Sequence, residues 1–170
     1  MSIATAVVII NQMKNPRLLA LKNLSKKRNK FRNVGLTGGA FDILHEGHIT
    51  FLENAKSHCQ YLIVHITGNK RVKEKKGFNR PILDEKTRAR IISSLRFVDS
   101  VFIYNGRHYD QKIISELRPD ILFFNQDGYS DEVKSEIGKL KNFRGKIMVL
   151  PLKKENSSSR ILNRIMKSGE

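Results

Sequence analysis

Two histidines lie three residues apart in a glycine-containing stretch, Gly38-Gly39-Ala40-Phe41-Asp42-Ile43-Leu44-His45-Glu46-Gly47-His48. The glycine between them leaves room for both imidazoles to face one bound group. Glycine lets the backbone approach an anion closely, and a helix predicted to begin near Ile49 would add free N–H groups and the positive end of its dipole. These residue types in this order predict a phosphate-binding loop, with His45 and His48 as donors to a triphosphate.

Three well-known motifs do not fit this loop. The chain has no Gly-Lys-Ser/Thr of a Walker loop, and Gly35, Gly38 and Gly39 miss the G-x-G-x-x-G spacing of a dinucleotide fingerprint. His45-Glu46 begins like the H-E-x-x-H helix of a zinc protease, but the second histidine comes one residue early. Either histidine alone could simply cap a turn, whereas both together with the glycines favour a ligand.

The elements that must hold this loop are predicted from Val34 onward. Short runs rich in Val, Ile, Leu and Phe alternate with longer segments of helical periodicity. Strands are predicted at 34–38, 61–66, 100–104, 120–125 and 146–151, and helices at 48–59, 85–97, 109–118, 130–142 and 158–167. This alternation predicts an α/β fold, a Rossmann-like, doubly wound, mostly parallel five-stranded sheet that binds ligands at the carboxyl ends of its strands.

Length and composition restrict the class of protein. With 170 residues, of which 39% are hydrophobic and 28% charged, the chain is expected to form one folded domain. No apolar run approaches the roughly 18 residues that a membrane-spanning helix needs. The single cysteine, Cys59, excludes an intramolecular disulfide and a multi-cysteine zinc site. We therefore expect a cytoplasmic protein that does not span a membrane.

Positive charge is concentrated at the start of the chain. The sequence has 32 basic and 16 acidic residues, a formal net charge of +16, and residues 1–32 hold eight of the basic residues and no acid. This distribution divides the chain into a basic N-terminal extension, 1–32, and a main domain, 33–170. The extension could be a solvated segment packed on its own domain, a contact for nucleic acid or an acidic surface, or a transit peptide.

Five stretches of the main domain resemble one known family. Residues 39–48 resemble the H-x-G-H signature of the cytidylyltransferase-like nucleotidyltransferases, and the other stretches follow in the order of that family. They are Lys76-Gly77-Phe78-Asn79-Arg80-Pro81, then Arg88 with Arg96-Phe97-Val98-Asp99-Ser100-Val101, then Pro119-Asp120-Ile121-Leu122 with Asp127, and Ser157-Ser158-Ser159-Arg160-Ile161. The resemblance covers about residues 34–167, so 33–170 is expected to be a nucleotidyltransferase domain.

The resemblance implies an enzyme that transfers a nucleoside monophosphate from ATP or CTP to a phosphorylated sugar or alcohol and releases pyrophosphate. It gives catalytic roles to His45, His48, Lys76 and Arg88. The histidines would hold the triphosphate, Lys76 would reach the reacting phosphates from the opposite side, and Arg88 would lie at the substrate end of the cleft. Two alternatives stay open: Lys76 could belong to a solvated basic loop, 70–76, and Arg88 could be a helix-surface residue.

The resemblance also implies a set of nucleotide-binding residues: Gly39, Ala40, Phe41, Asp42, Gly47, Asp127, Ser157, Ser158 and Ser159. Ser158 and Ser159 would donate to the β- and γ-phosphates at the start of the last helix, although the three serines could equally serve only as a helix N-cap. Asp42 would orient the loop or a metal-bound phosphate. Mg²⁺ is the expected cofactor, and no protein metal-ligand set is expected because Mg²⁺ binds phosphate oxygens and keeps its waters. A homodimer is usual for such proteins.

Several positions depart from the pattern of the family and bear on the substrate. Ala40 stands where many members have Thr, Asn69 where an acid is common, and Phe124-Asn125-Gln126 replaces the usual strand end. The Phe-Asp-Ile-Leu-His, Lys-Gly-x-x-Arg-Pro and Ser-Ser-Ser features favour the heptose-1-phosphate adenylyltransferase branch, with ATP as donor. The alternatives are a cytidylyltransferase acting on glycerol 3-phosphate, phosphocholine or phosphoethanolamine, an FMN adenylyltransferase, and a non-catalytic nucleotide-binding or nucleic-acid-binding protein.

Overall fold

A sheet of five parallel strands forms the centre of the protein in a computed structural model that describes residues 15–152 and 157–168. The strands are β1 (Val34–Gly39), β2 (Tyr61–Thr67), β3 (Ser100–Tyr104), β4 (Ile121–Asn125) and β5 (Lys146–Leu150). They lie in the order β3-β2-β1-β4-β5, and each neighbouring pair is parallel. The predicted Rossmann-like, doubly wound α/β sheet is therefore confirmed.

Helices connect the strands and cover the sheet. Within the described ranges they are α1 (Leu21–Lys27), α2 (Glu46–Ser57), α3 (Asn69–Lys76), α4 (Glu85–Ser93), α5 (Gln111–Leu117), α6 (Asp131–Gly138) and α7 (Ser158–Lys167). The basic run 70–76, for which a solvated loop was one prediction, is helical and lies within α3. Val72 is buried and anchors this helix to the domain. Helix α2 begins at Glu46, earlier than predicted. Across 15–152 and 157–168, no helix is long and apolar enough to cross a membrane.

The strand order changes direction at β1. The chain moves from β1 through β2 to β3 on one side, and then returns to place β4 and β5 on the other side. β1 pairs with β2 along its whole length, whereas it pairs with β4 only at Gly35 and Leu36. The carboxyl ends of β1 and β4 therefore border a crevice, the place where ligands bind in open sheets of this kind.

Strand side chains alternate between two apolar layers, one on each face of the sheet. In β2, Leu62, Val64 and Ile66 pack in the first layer and Ile63 packs in the second, and all four are at most 1% exposed. Helices α2 and α4 contribute to the first layer, while α1, α5 and α6 contribute to the second. Because both faces of β1, β2, β3 and β4 are covered, the carboxyl edge of these strands offers a rigid base for a site.

Residues 15–32, the described part of the basic extension, pack against the sheet. The amide of Leu19 donates to the carbonyl of Val101 at 2.9 Å, and the amide of Val101 donates to the carbonyl of Arg17 at 2.7 Å, so the segment covers the β3 edge. Leu24 is 1% exposed in the second layer, and Arg28 donates to two carbonyls at the end of α5. A core therefore crosses the predicted boundary at residue 32; the first 14 residues of the extension lie outside the described residues.

Candidate active site

Two helix N-termini meet at one cavity on the carboxyl edge of the sheet. His45 is the N-cap residue of α2, and Ser157 is the N-cap residue of α7. The Ser157 hydroxyl accepts a hydrogen bond from the Arg160 amide at 3.3 Å. The cavity has a volume of about 360 Å³ and is lined by His45, His48, Lys76, Asp127, Leu152 and Ser157–Arg160. Free N–H groups and a positive dipole end at both helix starts make this cavity, the phosphate pocket, suitable for an anion.

The two predicted histidines lie side by side in the phosphate pocket. Their rings are stacked, with centroids 3.8 Å apart and planes inclined by 25°. In each ring, Nδ1 is buried and has no hydrogen-bond partner among the described residues. Burial lowers the pKa of His45, and burial followed by the charges of His45 and Lys76 lowers the pKa of His48 to about 4. Both imidazoles are therefore mainly neutral at pH 7, and a bound anion would favour their protonation.

Phe41 shapes the loop that presents these histidines. Its φ of 46° lies in the left-handed region, which non-glycine residues rarely adopt. Its side chain is buried, and the ring meets the His48 ring edge-on at a centroid distance of 5.1 Å. A Cβ at Gly39 would lie 3.1 Å from the same ring. Packing thus maintains an unfavourable backbone conformation next to the pocket, and Phe41 positions His48.

Asp42 is a structural anchor in this loop. Its buried carboxylate accepts hydrogen bonds from Arg80 Nη1 at 2.6 Å, from the Ile82 amide at 2.8 Å and from the Leu83 amide at 3.0 Å. Both carboxylate oxygens are therefore already used within the protein. The expectation that Asp42 orients the loop agrees with these contacts, which engage both carboxylate oxygens.

Arg88 lies behind the loop, in contrast to its expected position at the substrate end of the cleft. Its side chain is fully buried. Nε donates to the carbonyl of Leu83 at 2.9 Å, Nη1 donates to the carbonyl of Ala40, and Nη2 donates to Asn69 Oδ1 at 2.7 Å. The guanidinium thus joins three separate segments of the chain. Asn69, the departure from an acidic residue, serves as one of its acceptors.

Lys76 brings a cation to the same cleft from α3. It is the last residue of that helix, and Gly77, with φ of 90°, ends the helix directly after it. Lys76 lines the phosphate pocket together with His45 and His48. Partial burial lowers the pKa of Lys76, and the neighbouring Arg80 lowers it further. Its position fits the predicted role at the reacting phosphates, and its backbone is helical rather than part of a loop.

The serines of α7 hold this helix against the β1–α2 loop. Ser158 Oγ donates to the carbonyl of Ile43 at 3.2 Å, and Ser159 Oγ accepts a hydrogen bond from Arg80 Nη2 at 3.3 Å. Ser157 caps the helix, so the predicted capping role is present at that residue. All three serines also line the phosphate pocket, and capping and phosphate binding are compatible.

The phosphate pocket continues into two further cavities. One of about 220 Å³ shares His48, Lys76 and Ser158 with it and is also lined by Gly39 and Ala40. The other, the wide cavity, has a volume of about 580 Å³. The wide cavity is lined by Gly38, Gly39, Ala40, His65, Thr67, Arg71, Val72, Lys75, Lys76, Gly106, Arg107, His108, Tyr109, Asp127, Gly128, Ser130, Glu132 and Val133.

Of the predicted nucleotide-binding residues, Asp127 lines both the phosphate pocket and the wide cavity, and Gly47 is buried in the first turn of α2. Sequence reasoning missed the polar lining of the wide cavity. His65 and Arg71 come from β2 and α3, while Arg107 and His108 follow β3. Their positions in the sequence could have indicated this, because these residues lie at or after the carboxyl ends of β2 and β3. The carboxyl ends of parallel strands meet at one edge of the sheet, where ligands bind.

Comparison with known proteins relates the whole domain to one family. The family model described as cytidylyltransferase-like matches residues 36–164. The bifunctional protein HldE of Helicobacter pylori is 38% identical over 141 residues, which are 81% of this chain and 30% of that protein. HldE of Paramagnetospirillum magneticum is 32% identical over 150 residues, 88% of this chain and 30% of that protein. The chain thus spans about a third of the length of the curated relatives that it matches.

Solved structures agree with this relation. The lipopolysaccharide core biosynthesis protein of Thermoplasma volcanium is 31% identical with a TM-score of 0.57, and the match covers 72% of this chain and 98% of that one. Pantoate-beta-alanine ligase of Francisella tularensis has a TM-score of 0.62 at 20% identity, over 86% of this chain and 72% of that one, a likeness of fold alone. The family model and the relatives above 30% identity agree, and the chain belongs to the cytidylyltransferase-like family of nucleotidyltransferases.

Proposed function

We propose that this chain transfers a nucleoside monophosphate, with ATP as the favoured donor, to a phosphorylated sugar and releases pyrophosphate. The observation that carries the proposal is the convergence of two helix N-termini, two stacked histidines and Lys76 on the phosphate pocket. This pocket accommodates the triphosphate. The wide cavity adjoins it and has room for a second substrate of sugar size.

The reaction needs no nucleophile from the protein. An oxygen of the acceptor phosphate forms a bond to the α-phosphorus, the bond from the α-phosphorus to the bridging oxygen breaks, and pyrophosphate leaves with that electron pair. Such a step is accelerated by holding the reactants in line and by stabilising the charge that develops on the phosphates. The site accordingly offers cations and N–H donors around the reacting atoms.

His45 and His48 donate to the triphosphate and stabilise charge on the bridging and leaving oxygens. Their N–H groups are effective because the imidazoles are mainly neutral before the anion binds and acquire positive character as negative charge develops next to them. Lys76 supplies a cation from the last residue of α3. The first turn of α7, with Ser158 and Ser159, holds the far phosphates.

Mg²⁺ is part of this proposal as an ion brought by the nucleotide. No cluster of three metal-ligating side chains occurs in residues 15–152 or 157–168, and the phosphate pocket is lined chiefly by cations and hydroxyls. This donor set fits an ion that is held mainly by phosphate oxygens and water, with Asp127 as the carboxylate in the pocket lining. When bound, Mg²⁺ neutralises part of the charge on the phosphates.

The choice of a sugar phosphate rests on the relatives and on the wide cavity. HldE and the lipopolysaccharide core biosynthesis protein agree with the heptose-1-phosphate adenylyltransferase branch that the sequence motifs favour. Four cations line the wide cavity against two carboxylates, Asp127 and Glu132. This net positive charge opposes an acceptor that carries a choline or ethanolamine cation. Glycerol 3-phosphate with CTP is the second candidate, because it is also an anion.

The test is pyrophosphate release in the presence of Mg²⁺, with ATP, CTP, GTP and UTP each combined with heptose 1-phosphate, glycerol 3-phosphate, phosphocholine, phosphoethanolamine and FMN. Turnover is expected with ATP and heptose 1-phosphate. His45→Ala and His48→Ala are each expected to reduce kcat by about two orders of magnitude or more, the scale of a lost transition-state donor. His58→Ala is the matched control, because His58 is exposed at the other end of α2.

Two results would contradict the proposal. Near-normal turnover in both His45→Ala and His48→Ala would remove the histidines from the mechanism. Nucleotide binding without pyrophosphate release from any combination would favour the non-catalytic nucleotide-binding alternative.

A further inference from the structure

His65, which the proposed reaction does not use, lies buried at the wide cavity. It is on β2, is 2% exposed, and its Nε2 lies 2.8 Å from the carbonyl oxygen of Tyr104. A carbonyl only accepts hydrogen bonds, so Nε2 carries the proton and Nδ1 is left as an acceptor. Nδ1 is buried and has no partner among the residues that the structure describes. A buried acceptor without a partner is costly, which makes this atom a candidate for a ligand contact.

His108 forms the second half of this arrangement. It follows β3, and its ring centroid lies 6.4 Å from that of His65. Phe124 holds the His108 ring at a centroid distance of 4.8 Å, and Tyr109 contacts it edge-on at 5.1 Å. Its Nε2 is buried, again with no partner within 15–152 and 157–168. Two aromatic contacts fix the ring, so its unpartnered nitrogen has a defined position.

Gly38 lets this histidine pair, His65 and His108, approach β1. A Cβ at Gly38 would lie 2.5 Å from His65 Nδ1 and 2.8 Å from His108 Cβ, distances that no real Cβ tolerates. Gly38 also lines the wide cavity. The absence of a side chain at this position therefore brings His65 Nδ1 and the base of the His108 side chain next to the loop that leads to the phosphate pocket.

The histidine pair is uncharged near neutral pH. Burial lowers the pKa of His65 to about 4, although the hydrogen bond to Tyr104 and the charge of Asp110 act in the opposite direction. Burial, together with the charges of His65 and Lys75, lowers the pKa of His108 to about 3. A neutral imidazole nitrogen pairs with a hydroxyl, which both donates and accepts. Phosphate recognition by contrast is left to the cations, Lys75 among them, elsewhere in the lining of the cavity.

The charged part of the lining limits the acceptor further. Arg71 and Lys75 carry positive charge, while Arg107 forms ion pairs with Glu132 and Glu136. Cations together with paired carboxylates and neutral histidines suit a molecule that is anionic at one end and rich in hydroxyls over its body. They do not suit an aliphatic phosphate or a quaternary ammonium group, which would leave the buried nitrogens unpartnered.

We propose that the wide cavity holds the polyhydroxylated body of the acceptor and that His65 and His108 select it by hydrogen bonding to its hydroxyl groups. This inference rests on the proposed function and deepens it, because it assigns acceptor selection to residues outside the H-x-G-H loop. The pair acts on binding of the acceptor and has no part in binding ATP.

The test compares variants of His108 in the full chain by steady-state kinetics with ATP and heptose 1-phosphate. His108→Leu removes Nε2 and keeps an apolar side chain between Phe124 and Tyr109, whereas His108→Gln retains an amide near the position of Nε2. We expect His108→Leu to raise the KM for heptose 1-phosphate about 3- to 10-fold, the scale of one lost hydrogen bond, with the KM for ATP unchanged. His108→Gln should restore most of the loss, and His58→Leu, at an exposed site, should change nothing.

Analogues of the acceptor that lack one hydroxyl separate recognition from a general change of shape. The unmodified chain should discriminate against at least one monodeoxy analogue of heptose 1-phosphate by about 3- to 10-fold or more, and His108→Leu should lose that discrimination. Equal KM values in the unmodified chain and His108→Leu, or an equal rise in the KM for ATP, would overturn the inference while leaving the proposed function intact. An unmodified chain that turns over no sugar phosphate would overturn the proposed function and this inference with it.

Discussion

Replacing Arg88 by lysine should destabilise the whole domain rather than slow only the chemical step. The guanidinium donates from three different nitrogens to the Leu83 carbonyl, the Ala40 carbonyl and the Asn69 amide oxygen, and the side chain is fully buried. Lysine keeps the charge but presents a single ammonium group, which cannot reproduce a planar fork aimed at three acceptors. Arg88→Lys therefore leaves at least two acceptors without partners.

The expected loss follows from these contacts. A buried acceptor that loses its partner costs about 1–3 kcal/mol, so two such acceptors imply a loss of about 2–6 kcal/mol in the free energy of unfolding. Because a domain of ordinary stability has only about 5–15 kcal/mol, this loss is large enough to measure easily. The assay is urea denaturation followed by circular dichroism. Arg90→Lys, on the exposed face of the same helix, is the matched control and should stay within about 0.5 kcal/mol of the unmodified chain.

Kinetics on the same variants decide whether Arg88 holds the backbone of the site in place or contacts the reacting phosphates directly. If the guanidinium acts only by holding the Ala40 and Leu83 backbone in place, kcat measured where Arg88→Lys is still folded should fall less than in the His48→Ala variant. An unchanged free energy of unfolding together with a large fall in kcat would refute the reasoning, because it would mean that Arg88 contacts the reacting phosphates directly.

Three further outcomes are expected. Leu24→Ala should lower the free energy of unfolding by about 2–5 kcal/mol in urea titrations, because Leu24 is buried in the second apolar layer; no change would show that α1 does not contribute to the core. Asp42→Asn should also reduce stability, by about 1–3 kcal/mol, and raise proteolytic cleavage near Arg80, because the carboxylate loses its ion pair; equal cleavage of both chains would contradict this. Burial lowers the pKa of His65 to about 4, so between pH 6.5 and 4 the unfolded chain binds a proton that the native chain does not. The contribution of neutral His65 to the free energy of unfolding is therefore complete above pH 6.5 and decreases as the pH falls towards 4. The contribution lost at pH 5 is about 2 kcal/mol, and urea titrations at pH 7.5 and 5 should show a smaller difference in His65→Gln than in the unmodified chain; an equal difference would be the contrary result.

The sheet could be predicted from the sequence because parallel strands are buried on both faces and so read as continuous apolar runs. Helix α3 was harder to predict, since its residues are nearly all charged and only Val72 is buried, a pattern that periodicity alone does not separate from a solvated loop. The described part of the N-terminal extension was ambiguous for a similar reason. Its many cations hide Leu24, the one fully buried side chain of α1.

The candidate site was predictable where its residues are close together in sequence. His45 and His48 share one loop, and Ser157 starts a helix by a familiar capping residue, so motif and physical reasoning agreed on them. The alternative that Arg88 is a helix-surface residue is wrong, because the side chain is buried. A helix pattern does not distinguish an arginine that points to solvent from one that is buried with three acceptors. His65 and His108 were missed because they are 43 residues apart in the numbering and are brought together only by the pairing of β2 with β3.

Helices α2 and α7 come from opposite ends of the domain, and the contact between Ser158 and Ile43 joins positions 115 residues apart. Helix α7 has no fully buried residue, so few contacts of its own keep it in place. A triphosphate seated between the two helix starts would therefore act as a removable crosslink between the first and last parts of the fold. At a nucleotide concentration 100 times its dissociation constant, such a ligand adds about 2.7 kcal/mol to the free energy of unfolding. The free energy of unfolding would then be greatest when the nucleotide is abundant. Release of pyrophosphate would remove the ligand contact that joins α2 to α7 and lower the stability again.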